Sequence, residues 1–270
     1  MAPGALPATN PVPPTMRYLT MIGRIFFGAA LVASGVQQLV VGEFVRLVPK
    51  LPAWIPAPAL WPGVVGVVLV IAGGAIIADR MRARAATVVA VLLGLNLMFR
   101  VPEILANPGA GFVWTNPCKV LALIGGALVL AGSLPGANGA GQRWAGKLVF
   151  LGPVLLGVFL LVCGIQHFVY ASFVDTLVPA WIPPRPRFWT YFSALALLAG
   201  GAGVLLPKTA RLAAICSALM IFLWVLLLHI PRSVQLKSAF EWAGVFEALA
   251  ISGVALLVAG TWPKRAKPAA

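Results

Sequence analysis

Eight apolar runs divide this 270-residue chain, at roughly 18–41, 61–78, 84–101, 117–134, 148–171, 188–206, 210–230 and 243–262. Most approach or exceed the ~20 residues that a helix needs to cross a ~30 Å hydrocarbon layer. Residues are 61% hydrophobic and only 10% charged, against about 45–50% and 25% in soluble domains. A soluble core has no use for so much apolar surface; a bilayer does. In lipid, every backbone N–H and C=O must be satisfied by a helix or a closed barrel, and long runs without strict alternation read as helices. The expected fold is therefore all-α: a polytopic membrane protein of about eight transmembrane helices.

The formal net charge of +14, from 20 basic and 6 acidic residues, first suggests nucleic acid. The basic residues fall instead in short segments between apolar runs, without a basic stripe on a polar domain. Anionic headgroups and the positive-inside rule explain them, so the bilayer is the expected partner and nucleic acid is not. One side carries Arg17, Arg24, Arg80, Arg82, Arg84, Arg143, Lys147, Lys208, Arg211, Lys264, Arg265 and Lys267. The other carries Arg46, Lys50, Arg100, Lys119, Arg185, Arg187, Arg232 and Lys237. The excess on the first side places both termini in the cytoplasm. Cys118, Cys163 and Cys216 show no CxxC spacing, which argues against a disulfide framework or a zinc site of the usual spacing. Residues 1–15, rich in Pro and Ala, read as disordered.

The chain also repeats itself. Ser34-Gly35-Val36-Gln37-Gln38-Leu39 matches Cys163-Gly164-Ile165-Gln166-His167-Phe168, and Pro52-Ala53-Trp54-Ile55-Pro56 matches Pro179-Ala180-Trp181-Ile182-Pro183 residue for residue. The Gly-Gly pairs at 73–74 and 200–201, Arg84 and Arg211, and Pro102 and Pro231 fall into the same register, at an offset of about 128. Four spans per unit is an even number, so the second copy enters from the same side as the first. The reading is two parallel four-helix bundle repeats, 16–136 and 143–264, related by a pseudo-two-fold axis along the membrane normal, with a basic tail at 265–270. The first span has a twin in mid-chain, which argues that it is not a cleaved signal.

Polar groups inside the bilayer are costly and so mark candidate sites. Cys163, Gln166, His167 and Tyr170 follow an i, i+3, i+4, i+7 spacing, which shares one helical face. His229 precedes Ile230-Pro231, where the proline is expected to end the helix, and Glu247 lies a turn or two inside the eighth span. Gln166, His167, His229 and Glu247 are expected to converge near the outer boundary. Their first-unit counterparts are Gln37, Gln38, Arg100 and Lys119, a set without histidine, with Arg100 and Glu103 spaced to pair locally. If one unit is active, the second is favoured. Two histidines and a carboxylate suit a metal by type, but no spacing rule supports a metal or haem here. Glycine pairs at 73–74 and 200–201 read as close helix packing. The two PAWIP segments, with Trp54 and Trp181, read as interfacial loops or as short lids.

Gly-x-Gln-His-Phe (164–168), Val-Pro-Ala-Trp-Ile-Pro (178–183), the Gly-Gly pair and His-Ile-Pro (229–231) together resemble the DoxX-like family of small four-helix bacterial membrane proteins. The second unit fits well; the first is similar to a diverged copy, departing at both histidine positions. The resemblance implies a four-helix fold per unit and a bacterial inner-membrane location. It also implies a link to quinone-dependent redox chemistry, since some relatives are subunits of thiosulfate:quinone oxidoreductase. The family's histidine positions map to His167 and His229. A quinone headgroup is then the expected ligand, with Gln166 donating to a carbonyl oxygen, His167 exchanging a proton, and Tyr170, Trp181, His229 and Glu247 completing the lining. The chain is read as an accessory subunit rather than a complete enzyme. A scaffold that docks a soluble redox protein, and a small-solute transporter, are the alternatives.

Overall fold

A computed structural model describes residues 13–45, 51–52, 54–133 and 140–262. Much of the 1–15 segment and the 265–270 tail, together with Arg46, Lys50, Ala53, Lys264, Arg265 and Lys267, lie outside the described residues. Among the described residues every regular element is helical. In order these are α1 (Pro14–Val41), α2 (Trp61–Ile77), α3 (Arg82–Phe99), α4 (Val101–Ala106), a 3-10 turn (Gly111–Trp114), α5 (Thr115–Gly132), α6 (Ala140–Val169), α7 (Ala171–Asp175), α8 (Pro186–Leu205), α9 (Ala210–Trp224), a π-turn (Val225–His229), α10 (Ile230–Leu236) and α11 (Ala239–Thr261).

Local chemistry sets several ends. Pro14, Pro62 and Pro186 stand in first turns, where the missing N–H has no helical partner to lose. Gly42 closes α1 in the left-handed region, its N–H donating to Gln38 at 2.9 Å. The Ser238 hydroxyl caps α11 by accepting from the Phe240 N–H.

Seven helical segments are long and apolar enough to cross a membrane; α2, at 17 residues, is a shorter apolar helix. All eight expected spans are thus helical, with α2 at the short end of the usual range. Pro231 does not stop its helix. The chain widens into the π-turn over Val225–His229 and runs on to Leu236, because a wider turn accommodates the carbonyl that proline leaves without a donor. In the first half the corresponding place, Arg100, is a break between α3 and α4, with Pro102 in the first turn beyond it.

The packing partners are informative. α1 lies against α2 and α11, and α6 lies against α8 and α5. α3 packs on α5, α9 packs on α11, and the two most buried helices, α5 and α11, face each other. The first helix of each half therefore leans on the last helix of the other half. The halves expected as four-helix units over 16–136 and 143–264 are thus interleaved in their packing. The physical reason is that lipid-level helix faces are all apolar, so small residues decide which faces can approach.

Those small residues are glycines. A β-carbon at Gly23 would sit 2.7 Å from the Gly253 carbonyl oxygen, and one at Gly152 would meet Val129 and lie 3.2 Å from the Gly125 carbonyl oxygen. The α1–α11 and α5–α6 crossings are thus built alike, on glycines about 128 residues apart. The α1–α2 crossing sets Gly28 on Gly73, and the α6–α8 crossing sets Gly157 on Gly201. Only one glycine of each Gly-Gly pair makes the approach: Gly74 faces open space, and Gly200 faces the Ser217 hydroxyl of α9.

Two ends of the bundle can be distinguished. At one, Arg24 and Arg82 hold Asp79 at 2.8 and 2.7 Å. Arg82 donates to the Ser133 carbonyl and Arg211 to those of Ala259 and Trp262, each reaching carbonyls at the C-terminal end of a central helix. Arg82, rather than Arg84, thus makes the contact in the first half that Arg211 makes in the second. The opposite, Trp-rich end holds both PAWIP segments. Each forms the same turn, Ile55 N–H to Pro52 and Ile182 N–H to Pro179, and each is hooked to the next helix by a tryptophan, Trp61 to the Pro56 carbonyl and Trp189 to the Pro183 carbonyl.

Candidate functional site

The repeated Gly-x-Gln has a structural meaning. Gln37 of α1 donates to the Ala239 carbonyl at the start of α11, at 2.7 Å. Gln166 of α6 donates to the Gly111 carbonyl just before α5, at 2.6 Å, and also accepts from the Thr115 hydroxyl at 2.9 Å. Each glutamine pins its helix to the opposite half. Tyr170 ends α6 and places its hydroxyl over Gly111, where a β-carbon would collide with it. Gln166 and Tyr170, expected as ligand contacts, thus meet on Gly111 as part of a tether.

Lys119 and Glu247 form the second group. They occupy equivalent places on α5 and α11, 128 residues apart, and face each other with Lys119 Nζ 2.8 Å from Glu247 Oε2. Glu247 is only 7% exposed. Arg100, 4% exposed, is within electrostatic reach of Glu247 and lies 3.5 Å from Glu103, the local pair foreseen from the spacing. Gln38 and Asn96 are also buried, on α1 and α3. Ion pairs of this kind must offset large desolvation costs, and so are rare inside apolar bundles.

His167 forms the third group. Its Nδ1 lies 2.7 Å from the Cys163 carbonyl, and its ring stacks on Trp224 with centroids 6.0 Å apart. A carbonyl can only accept, so Nδ1 carries the proton, and whenever the ring is neutral Nε2 is an acceptor. Cys163 joins this group to the second: its sulfur is 3.9 Å from His167 Nδ1 and within electrostatic reach of Lys119. Contacts thus join Trp224, His167 and Cys163 in one group and Lys119 with Glu247 in another, with electrostatic reach linking the two.

His229 sits in the π-turn, its carbonyl accepting from the Ser233 hydroxyl at 2.7 Å. Trp54 and Trp181 are 76% and 65% exposed, and Trp54 packs edge-on against Phe99. Among the described residues no three His, Cys, Asp or Glu side chains gather as a metal-holding set. Sequence reasoning named Lys119 and Glu247 as counterparts but missed that they touch. It also missed Trp224, Thr115 and Gly111. Outside the apolar spans, Asp175 accepts from Thr190 at 2.7 Å and from Arg187 at 2.8 Å, which ties α7 to α8.

A family described only as a domain of unknown function (DUF8561) matches residues 156–262. That range takes in the C-terminal part of α6 and all of α7 to α11, and so includes His167, Trp224, His229 and Glu247 but not Lys119 or Arg100. No curated protein matches the chain, and no solved structure matches it.

Proposed function

We propose that this chain is a DoxX-like protein of the bacterial inner membrane, made of two parallel repeats with both termini cytoplasmic. It binds the headgroup of a quinone, or a similar carbonyl-bearing lipophile, at the Trp-rich, outer end of its second half. The carrying observation is the buried Lys119–Glu247 pair, with the His167–Cys163 group within its electrostatic reach. Lys119 is the donor for a headgroup oxygen, His167 Nε2 the proton acceptor, and Trp224 an aromatic wall. The chain's residues handle protons and position; electrons come from a redox partner protein. The matching glycine crossings, Gln tethers and Trp–Pro hooks support the repeat reading. The charge bias of the connecting segments supports the orientation.

The test is titration of a short-chain quinone into the purified chain in lipid nanodiscs, read by Trp fluorescence. Quenching that is lost in Trp224→Phe and weakened at least tenfold in His167→Ala and Lys119→Met is the expected result. Absence of quenching in the unaltered chain sinks the reading.

A second reading, a scaffold for a soluble redox partner, draws on a separate observation. The glutamines of the repeat are committed to backbone tethers, while Trp54, Trp181, Phe112 and Phe173 stand exposed at the same end. On that reading, His167→Ala and His229→Ala leave the partner's activity intact, and Trp181→Ala lowers it.

A further inference from the structure

We infer that Lys119 and Glu247 make the two halves obligate unlike partners: each half presents an interface that accepts the other half and rejects a copy of itself. Three observations carry this, independently of any ligand. First, the closest packing of α1 is with α11 and that of α5 is with α6, in each case across the halves. The surface that each half offers is therefore an assembly surface. Second, that surface is otherwise nearly self-complementary. Gly23 meets Gly253 as Gly152 meets Gly125, Gly260 meets Met16 and Thr20 as Gly132 meets Ala145 and Val149, and Gln37 reaches Ala239 as Gln166 reaches Gly111. Packing alone would let either half pair with its own kind. Third, where the two central helices meet, equivalent positions carry opposite charges 2.8 Å apart. Two first halves would bring Lys119 against Lys119, and two second halves Glu247 against Glu247, each buried and uncompensated. Opposite charges at an otherwise symmetric interface fix the pairing, as charged positions fix pairing in coiled coils.

The asymmetry extends one position outward. Arg100 stands in electrostatic reach of Glu247, and its equivalent across the axis is His229. Exchanging Lys119 and Glu247 alone would therefore put the new lysine beside Arg100. Exchanging all four residues would restore the Lys–Glu pair and move its neighbouring arginine to the other half, in mirrored register.

The experiment uses the full chain in detergent, read by helical circular dichroism on heating and by elution as a single species. Lys119→Glu and Glu247→Lys each lower the melting temperature by roughly 10 °C or prevent recovery of monodisperse protein. The double exchange, Lys119→Glu with Glu247→Lys, recovers part of the loss. The fourfold exchange, which adds Arg100→His and His229→Arg, recovers most of it. Where a single reversal does not fold, the fourfold exchange still decides. If it melts no higher than the single reversals, the positions are not equivalent across an axis and the inference is overturned. If both single reversals melt with the unaltered chain, the charges select nothing and it is likewise overturned.

Discussion

The two halves of this chain share their contacts and differ in their chemistry. Glycine crossings, glutamine tethers, Trp–Pro hooks and arginine caps recur in both at an offset of about 128 residues. The titratable and buried polar residues do not recur: Gln38 stands for His167, Arg100 for His229 and Lys119 for Glu247. What holds helices together is therefore separable from what the protein does with its polar centre. The difference also shows in backbone, since the residue two before the shared proline sits at a helix break in the first half and in a π-turn in the second.

Removing one partner of the axis pair is the most damaging change. Lys119→Leu leaves Glu247 buried without its cation, at a cost of about 3–5 kcal/mol. Lys119→Leu combined with Glu247→Leu costs far less, because no charge is left uncompensated. Chemical unfolding of the three proteins checks this. A double variant as unstable as the single one breaks the claim that the pair, and not packing, is at stake.

Glycine substitution comes next and sharpens the shared scaffold. Gly23→Ala and Gly152→Ala each force a β-carbon into a closely packed neighbour, for a loss of about 1–3 kcal/mol. Gly74→Ala, which meets open space, is neutral or slightly stabilising. Thermal unfolding of all three should show the two crossings responding alike. A harmless Gly23→Ala would show that the crossings are not equivalent.

The tethers carry less. Gln37→Leu removes one hydrogen bond and Gln166→Leu removes two, at about 1 kcal/mol for each bond lost. Denaturant midpoints should therefore rank Gln166→Leu below Gln37→Leu. The reverse order would mean that the Thr115 bond contributes nothing.

The smallest effect concerns Asp175, whose counterpart in the first half is Arg46. The Thr190 hydrogen bond, and then the Arg187 guanidinium, hold its carboxyl below the usual range. A depressed folded value means stability that is present above the ordinary carboxylate pKa and lost as pH falls through the folded one. Asp175→Asn should be slightly destabilising at pH 7 and equal to the unaltered chain in acid. Amide exchange in the 171–190 region, followed against pH, reads this directly.

Much of this architecture was legible from the residues. Apolar runs announced the helices, and the three-residue spacing of Arg100 and Glu103 announced their pair. What stayed hidden has a common cause. A helix that is apolar on all sides carries no stripe that names its partner, so nothing in α1 says that α11 rather than α5 receives it. A repeat offset reports equivalence, not contact, so Lys119 and Glu247 read as alternatives when they are neighbours. Gln166 read as a ligand donor because its short-range spacing was visible, whereas the carbonyl that uses it belongs to Gly111, 55 residues away. The continuation through Pro231 was hidden because a π-turn leaves no compositional mark.

Cross-linking of paired cysteines tests the interleaving of the halves most directly. In a background without Cys118, Cys163 and Cys216, Gln37→Cys would be combined with Ala239→Cys, and Gln166→Cys with Gly111→Cys, and each pair treated with a short thiol-reactive linker. Both pairs should link within one chain, while the crossed pairs, Gln37→Cys with Gly111→Cys and Gln166→Cys with Ala239→Cys, should not. Efficient linking of the crossed pairs with none in the direct pairs would mean that each half closes on itself, and would contradict the account.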